Sequence, residues 1–142
     1  MTYATQADIE ARYPGWLALA GPINETTKAI DTVAVGLACA AADDPINRAL
    51  LTIGWSVPVA APVPDWLLNL AVDIAAYFAT STAVASTELL DDRRKRYDDA
   101  LRVLADIAAG RVCPSPPVGS GGAVASGVFV TSQPRQFGGE LL

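Results

Sequence analysis

Two aspartates stand side by side at Asp43-Asp44, and a third, Asp73, sits in an otherwise apolar stretch. Neighbouring carboxylates could hold a divalent cation or divide the roles of general acid and base. No motif ties a second acidic pair to Asp43-Asp44, so the pair reads as a helix-ending turn. Asp73 reads as half of an ion pair with Arg12 or Arg48, because an unpaired buried charge is costly. Histidine is absent. That removes His-based triads, His-ligated metals and His general bases. The serines have no GxSxG setting, and Gly119 to Gly122 has neither the spacing nor the framing of a phosphate loop. Cys39 and Cys113 lie outside any CxxC or metal-spaced pattern and read as free thiols in a reducing compartment, Cys39 as a small core residue. The chain reads as a non-enzyme with no cofactor and no metal.

The run Arg93-Arg94-Lys95-Arg96 is the one concentrated basic feature. Asp91, Asp92, Asp98 and Asp99 flank it and cancel its charge. It reads as a solvated, salt-bridged helix face, with Arg93, Arg94 and Arg96 as candidate inter-subunit charge contacts. The net charge is −5. Nucleic-acid binders that grip phosphate carry a basic surplus, so an acidic balance suits protein partners better.

The elements that must position these residues are helical. The chain has 142 residues, 51% hydrophobic and 18% charged, enough for one domain with a real core. Its 26 alanines favour closely packed helices. The fold class is mainly α, a small bundle of about four main helices with an extended C-terminal arm containing a short strand. Thr5 and Asp8 cap a first helix that Pro14-Gly15 ends. A short apolar piece covers Trp16 to Ala20. Asn24 caps the second main helix, whose buried face is Ile30, Val33, Leu37 and Ala41, and Asp43-Asp44-Pro45 breaks or kinks it. Pro58, Pro62 and Pro64 mark an extended loop. The third main helix runs from Asp65 to about Ala79. The fourth has a seam of Leu90, Tyr97, Leu101, Leu104 and Ala108, a C-cap at Gly110, and six opposite-charge pairs four apart, from Asp91–Lys95 to Arg102–Asp106. Trp16, Trp55 and Trp66 read as core or interface anchors. No leader or spanning segment is visible, so no membrane role is expected and the chain reads as cytoplasmic.

Three parts follow: a helical domain over 1–111, a Pro/Gly/Ser-rich linker over 112–126, and an arm over 127–142. Val128, Phe129 and Val130 form a lone strand whose backbone groups need a partner. Sheet-edge addition, in its own domain or on a neighbouring chain, would supply one. Arg135 and Phe137 pair a cation with an aromatic near the terminus, as interface residues do. Leu141 and Leu142 complete the candidate protein-contact set. Fraying and docking stay open for this end.

The chain resembles the phage Mu-like head-to-tail connector, or neck adaptor, proteins. The residues that carry the likeness are Tyr3-Ala4-Thr5, Asp8 and Arg12-Tyr13, then Ala29-Ile30-Asp31, the prolines at 58, 62 and 64, and Leu67 to Tyr77. The most specific stretch is Arg96-Tyr97-Asp98-Asp99-Ala100-Leu101 with Leu104, Asp106-Ile107-Ala108 and Gly110, and the tail Pro134-Arg135-Gln136-Phe137 is similar to the family ending. Ile46-Asn47, Leu50-Leu51 and Gly54-Trp55 depart from the family pattern before the proline loop. The resemblance implies a subunit of a ring, commonly twelve-fold, in the virion neck. Its partners would be other copies of itself, the portal protein and the tail or stopper protein, with DNA only in transit. Assembly would take place in the bacterial host cytoplasm. A tail-completion or stopper protein and a non-phage helical adaptor are the neighbouring readings.

Overall fold

The computed structural model describes residues 2–80 and 87–114. Among them are five α-helices: α1 (Gln6–Arg12), α2 (Trp16–Ala20), α3 (Thr32–Thr52), α4 (Asp65–Phe78) and α5 (Thr87–Ala108). The mainly α class holds. Helices α3, α4 and α5 pack on one another, and α1 leans on α3 and α4 with α2 beside it. The expected strand at Val128–Val130 and the remaining arm residues lie outside the described residues.

Local chemistry sets the first helix. The Thr5 side chain accepts from the Asp8 amide, and the Asp8 carboxylate accepts from the Thr5 amide at 2.8 Å. This reciprocal box satisfies two donors that the first turn leaves without helical partners. Gly15, at φ 77°, turns the chain into α2, where Trp16, Leu17 and Ala20 are buried.

The second main helix departs from expectation in three ways. It starts at Asp31, whose carboxylate caps Val33 and Ala34 at 3.1 Å each. Asn24 instead closes a tight turn, accepting from the amides of Thr26 and Thr27 at 2.9 and 3.0 Å. An isolated bridge from Ile23 to Ile30 flanks that turn, so residues 24–29 cannot be helical.

Second, α3 runs without a break through Asp43, Asp44 and Pro45. A mid-helix proline removes one backbone bond and costs about 3 kcal/mol. Long-range contacts offset it. Tyr3 donates its amide to Asp43 at 3.1 Å and its hydroxyl to Asn47, so one residue grips α3 on either side of Pro45. Ala42, Ile46 and Leu50 carry buried packing across the same turn.

Third, the buried face of α3 is Val35, Ala38, Cys39, Ala42, Ile46, Ala49 and Leu50. Val33 and Leu37, expected inside, are 71% and 68% exposed. Thr32 to Ala42 contains no charged residue, so local pattern supports either face. Packing against α4 and α5 selects the one with small residues, which lets helix axes approach.

After α3 the chain turns at Gly54 (φ 87°) and crosses the bundle. Val59 is buried, and its amide donates to the Tyr3 hydroxyl at 2.9 Å. The peptide bonds before Pro58 and Pro62 are cis. Trp55 meets Trp66 edge to face, with ring centres 6.1 Å apart. In α4, Leu67, Ala71, Ile74 and Ala75 are wholly buried. Tyr77 stacks on Tyr97 of α5 at 4.3 Å. Gly110, at φ 80°, ends α5 as expected, and the amides of Gly110 and Arg111 return to the carbonyls of Ile107 and Asp106.

Candidate interaction surfaces

Asp73 and Arg12, two of the residues singled out by sequence, meet at the end of α1. Arg12 Nε lies 3.3 Å from Asp73 Oδ1 and donates to the Tyr13 hydroxyl at 3.1 Å, while Nη1 donates to Asn69 at 2.7 Å. Tyr13 in turn donates its hydroxyl to Asp73. Of the two expected partners for Asp73, Arg12 is the one that pairs. The bond to Tyr13, more than the neighbouring Asp73 carboxylate, holds the Arg12 guanidinium above its ordinary pKa. This knot fastens α1 to α4.

Arg93 corrects the reading of a wholly solvated basic face. It is 8% exposed, and its guanidinium carbon sits 3.8 Å from the centre of the Tyr13 ring and 5.0 Å from that of Trp16. A flat guanidinium stacks on aromatic rings, and its aliphatic stem fills core volume. Its Nη2 donates to Asp92 at 2.6 Å, whereas Nε and Nη1 are buried without a partner, as is Trp16 Nε1. The signal for this placement was present. Arg93, Tyr97, Ala100, Leu104 and Ile107 are spaced four, three, four and three apart, so position 93 falls on the inward seam of α5.

The other two basic candidates stay at the surface. Arg96 pairs with Asp92 at 3.3 Å and lies 5.7 Å from the Tyr13 ring centre. Asp92 is held below the usual carboxylate range, chiefly by its bond from Arg93. Arg94 is exposed and lines a cleft of about 430 Å³ with Tyr77, Phe78, Thr80, Thr87, Leu90 and Asp91. Of the six pairs expected four apart on α5, Asp92–Arg96 alone closes among the described residues. Asp99 meets Arg102 three positions on, at 2.7 Å, and Asp106 meets Arg111 beyond the helix end, at 2.6 Å. Several donors thus reach aspartates at other spacings, which helical rotamers also allow.

Asp43 is no helix-ending residue but a half-buried acceptor for the Tyr3 amide. Burial raises its pKa above the ordinary carboxylate value. The same cause raises the thiol of Cys39, which is buried in the core, while Cys113 is exposed and both are free. Among the described residues no group of three or more His, Cys, Asp or Glu side chains could hold a metal ion. No described helix is long and apolar enough to cross a membrane.

The outward face of α3 was missed in sequence because its residues were assigned to the core. Val33, Leu37, Ala40 and Ala41 form an exposed apolar strip. Val128, Phe129, Val130, Arg135, Phe137, Leu141 and Leu142, the predicted contact set, lie outside the described residues.

These features define a small all-α domain, pinned by a polar and aromatic knot and carrying an uncovered apolar helix face. The family model described as Bacteriophage Mu, Gp36 matches residues 3–126. That match takes in most of the chain, which therefore belongs to this phage protein family. No curated protein matches it.

Proposed function

We propose that the chain is a structural subunit of the phage neck, a head-to-tail connector that assembles as a ring between portal and tail. Membership of the Mu Gp36 family carries this reading. The helical domain and the net charge of −5 agree with it. A passage that DNA must traverse works best when its wall does not grip phosphate. The chain's partners are further copies of itself, the portal protein and the tail or stopper protein. It is not an enzyme, and assembly is its mechanism.

The arm is the tether between subunits. The described helices offer no sheet edge for the strand pairing expected of Val128 to Val130, so this apolar run docks by side-chain packing, with Arg135 and Phe137 anchoring the end. In a closed ring each weak contact gains from high effective concentration. Deletion of residues 127–142 is the test. The truncated chain retains the helical circular dichroism of the parent but is missing from purified particles, which lose infectivity. Normal infectious particles containing the truncated chain would refute the arm as the tether, and absence of the full-length chain from particles would refute the connector reading.

A further inference from the structure

The outward face of α3 carries an apolar strip that the other described helices do not cover. Val33 and Leu37 are 71% and 68% exposed, and Ala40 and Ala41 continue the strip one turn on. Eleven consecutive residues, Thr32 to Ala42, carry no charge. Isolated exposed aliphatics are ordinary, but a continuous apolar face marks an interaction site. Gly36, also exposed, borders this strip between Val33 and Ala40. A Cβ added there would meet nothing within 4 Å, and Gly36 is not among the positive-φ residues. Glycine inside a helix costs about 0.5–1 kcal/mol relative to alanine, and no contact among the described residues accounts for it. The close approach of an outside chain would account for it.

We propose that this strip receives the arm of an adjacent copy, with Phe129 over the Gly36 notch and Arg135 near Asp44. This assignment rests on the connector reading. Two observations select the arm. From Val112 to Pro134 the chain has no charged residue, which matches an uncharged strip, and the next residue, Arg135, supplies a cation. The strip ends at Asp44, which is exposed. The lengths also agree. Gly36 to Asp44 spans about 12 Å of helix, and Phe129 to Arg135 reaches at most about 20–22 Å, so the segment covers the distance without full extension. The residues between Pro114 and Val128 reach at most about 45 Å, enough to leave one subunit for the next.

The probe is a fluorescein-labelled peptide of residues 127–142, titrated by anisotropy into the full-length Phe129→Asp protein, whose own arm is disabled. Saturable binding is expected, weakened about tenfold or more by adding Leu37→Asp, since that removes the burial of a leucine side chain. Asp44→Arg weakens the parent peptide, and a peptide with Arg135→Asp restores affinity to that variant. Circular dichroism stays that of the parent, because Leu37 and Asp44 face solvent. Absence of binding, or equal binding by the Leu37→Asp variant, overturns the assignment. Light scattering tests the neighbour: an oligomeric wild type and a dissociated Leu37→Asp variant are expected. A monomeric wild type whose own arm excludes the peptide overturns docking between copies. Peptide binding that ignores α3 while arm deletion still bars the chain from particles refutes this surface alone. Docking as described in a chain never found in particles refutes the connector reading alone.

Discussion

Arg93 and Tyr13, eighty positions apart in sequence, stack with the guanidinium carbon 3.8 Å from the ring centre. This contact joins the middle of the bundle's most charged helix to the end of α1. It has two opposed consequences. The stem and the ring fill core volume, while Nε and Nη1 remain buried without acceptors.

Removing the whole side chain therefore costs more than removing its charge. Arg93→Ala leaves a cavity and ends a largely desolvated cation–π contact, and is expected to lower stability by about 2–3 kcal/mol. Arg93→Met keeps most of the stem and discards the unpaired donors, and is expected to lie within about 1 kcal/mol of the parent. Urea midpoints with an unchanged denaturant slope measure both.

Tyr3→Phe tests the grip across Pro45. The substitution deletes the hydroxyl that bonds Asn47 and accepts from the Val59 amide. The amide is then left buried without an acceptor, at a cost of about 1–3 kcal/mol. Hydrogen exchange at residues 43–47 is expected to quicken as well, because the clamp over the proline turn is weakened.

Stability depends on pH through Asp43 in a direction unusual for a carboxylate. Burial raises its pKa in the folded chain, with the adjacent Asp44 adding to the rise and the bond from the Tyr3 amide opposing it. The folded state therefore holds the proton more tightly, and this site loses stability as pH rises from the unfolded carboxylate value through the folded one. Asp43→Asn keeps an acceptor for Tyr3 without the charge. The variant is expected to melt higher than the parent at pH 7, with the advantage vanishing below about pH 4, where both side chains are neutral. Melting curves across this range check the sign.

Gly36→Ala is expected to stabilise the isolated chain by about 0.5–1 kcal/mol, since the position is helical and open around the added methyl. A thermal melt of the variant measures it.

Much of the architecture was written locally. The Thr5–Asp8 box, the stop at Pro14-Gly15, the periodic face of α4 and the left-handed turn at Gly110 depend on residues within a few positions of one another. Each could be read from the chain, and each is where the structure has it. That Asp73 needs a cationic partner was also legible, because a charge inside an apolar helix demands one; the fold chose Arg12 over Arg48.

The remaining decisions belonged to the tertiary structure. Both faces of the first half of α3 are apolar, so period alone could not say whether Val35 or Leu37 turns inward; the closeness of α4 and α5 decided it. Pro45 reads as a breaker until Tyr3, forty residues away, bonds on both sides of it. Arg93 reads as solvated until the rings of Tyr13 and Trp16 arrive over its guanidinium. In each case local preference was nearly balanced or adverse, and contacts between residues distant in sequence supplied the difference.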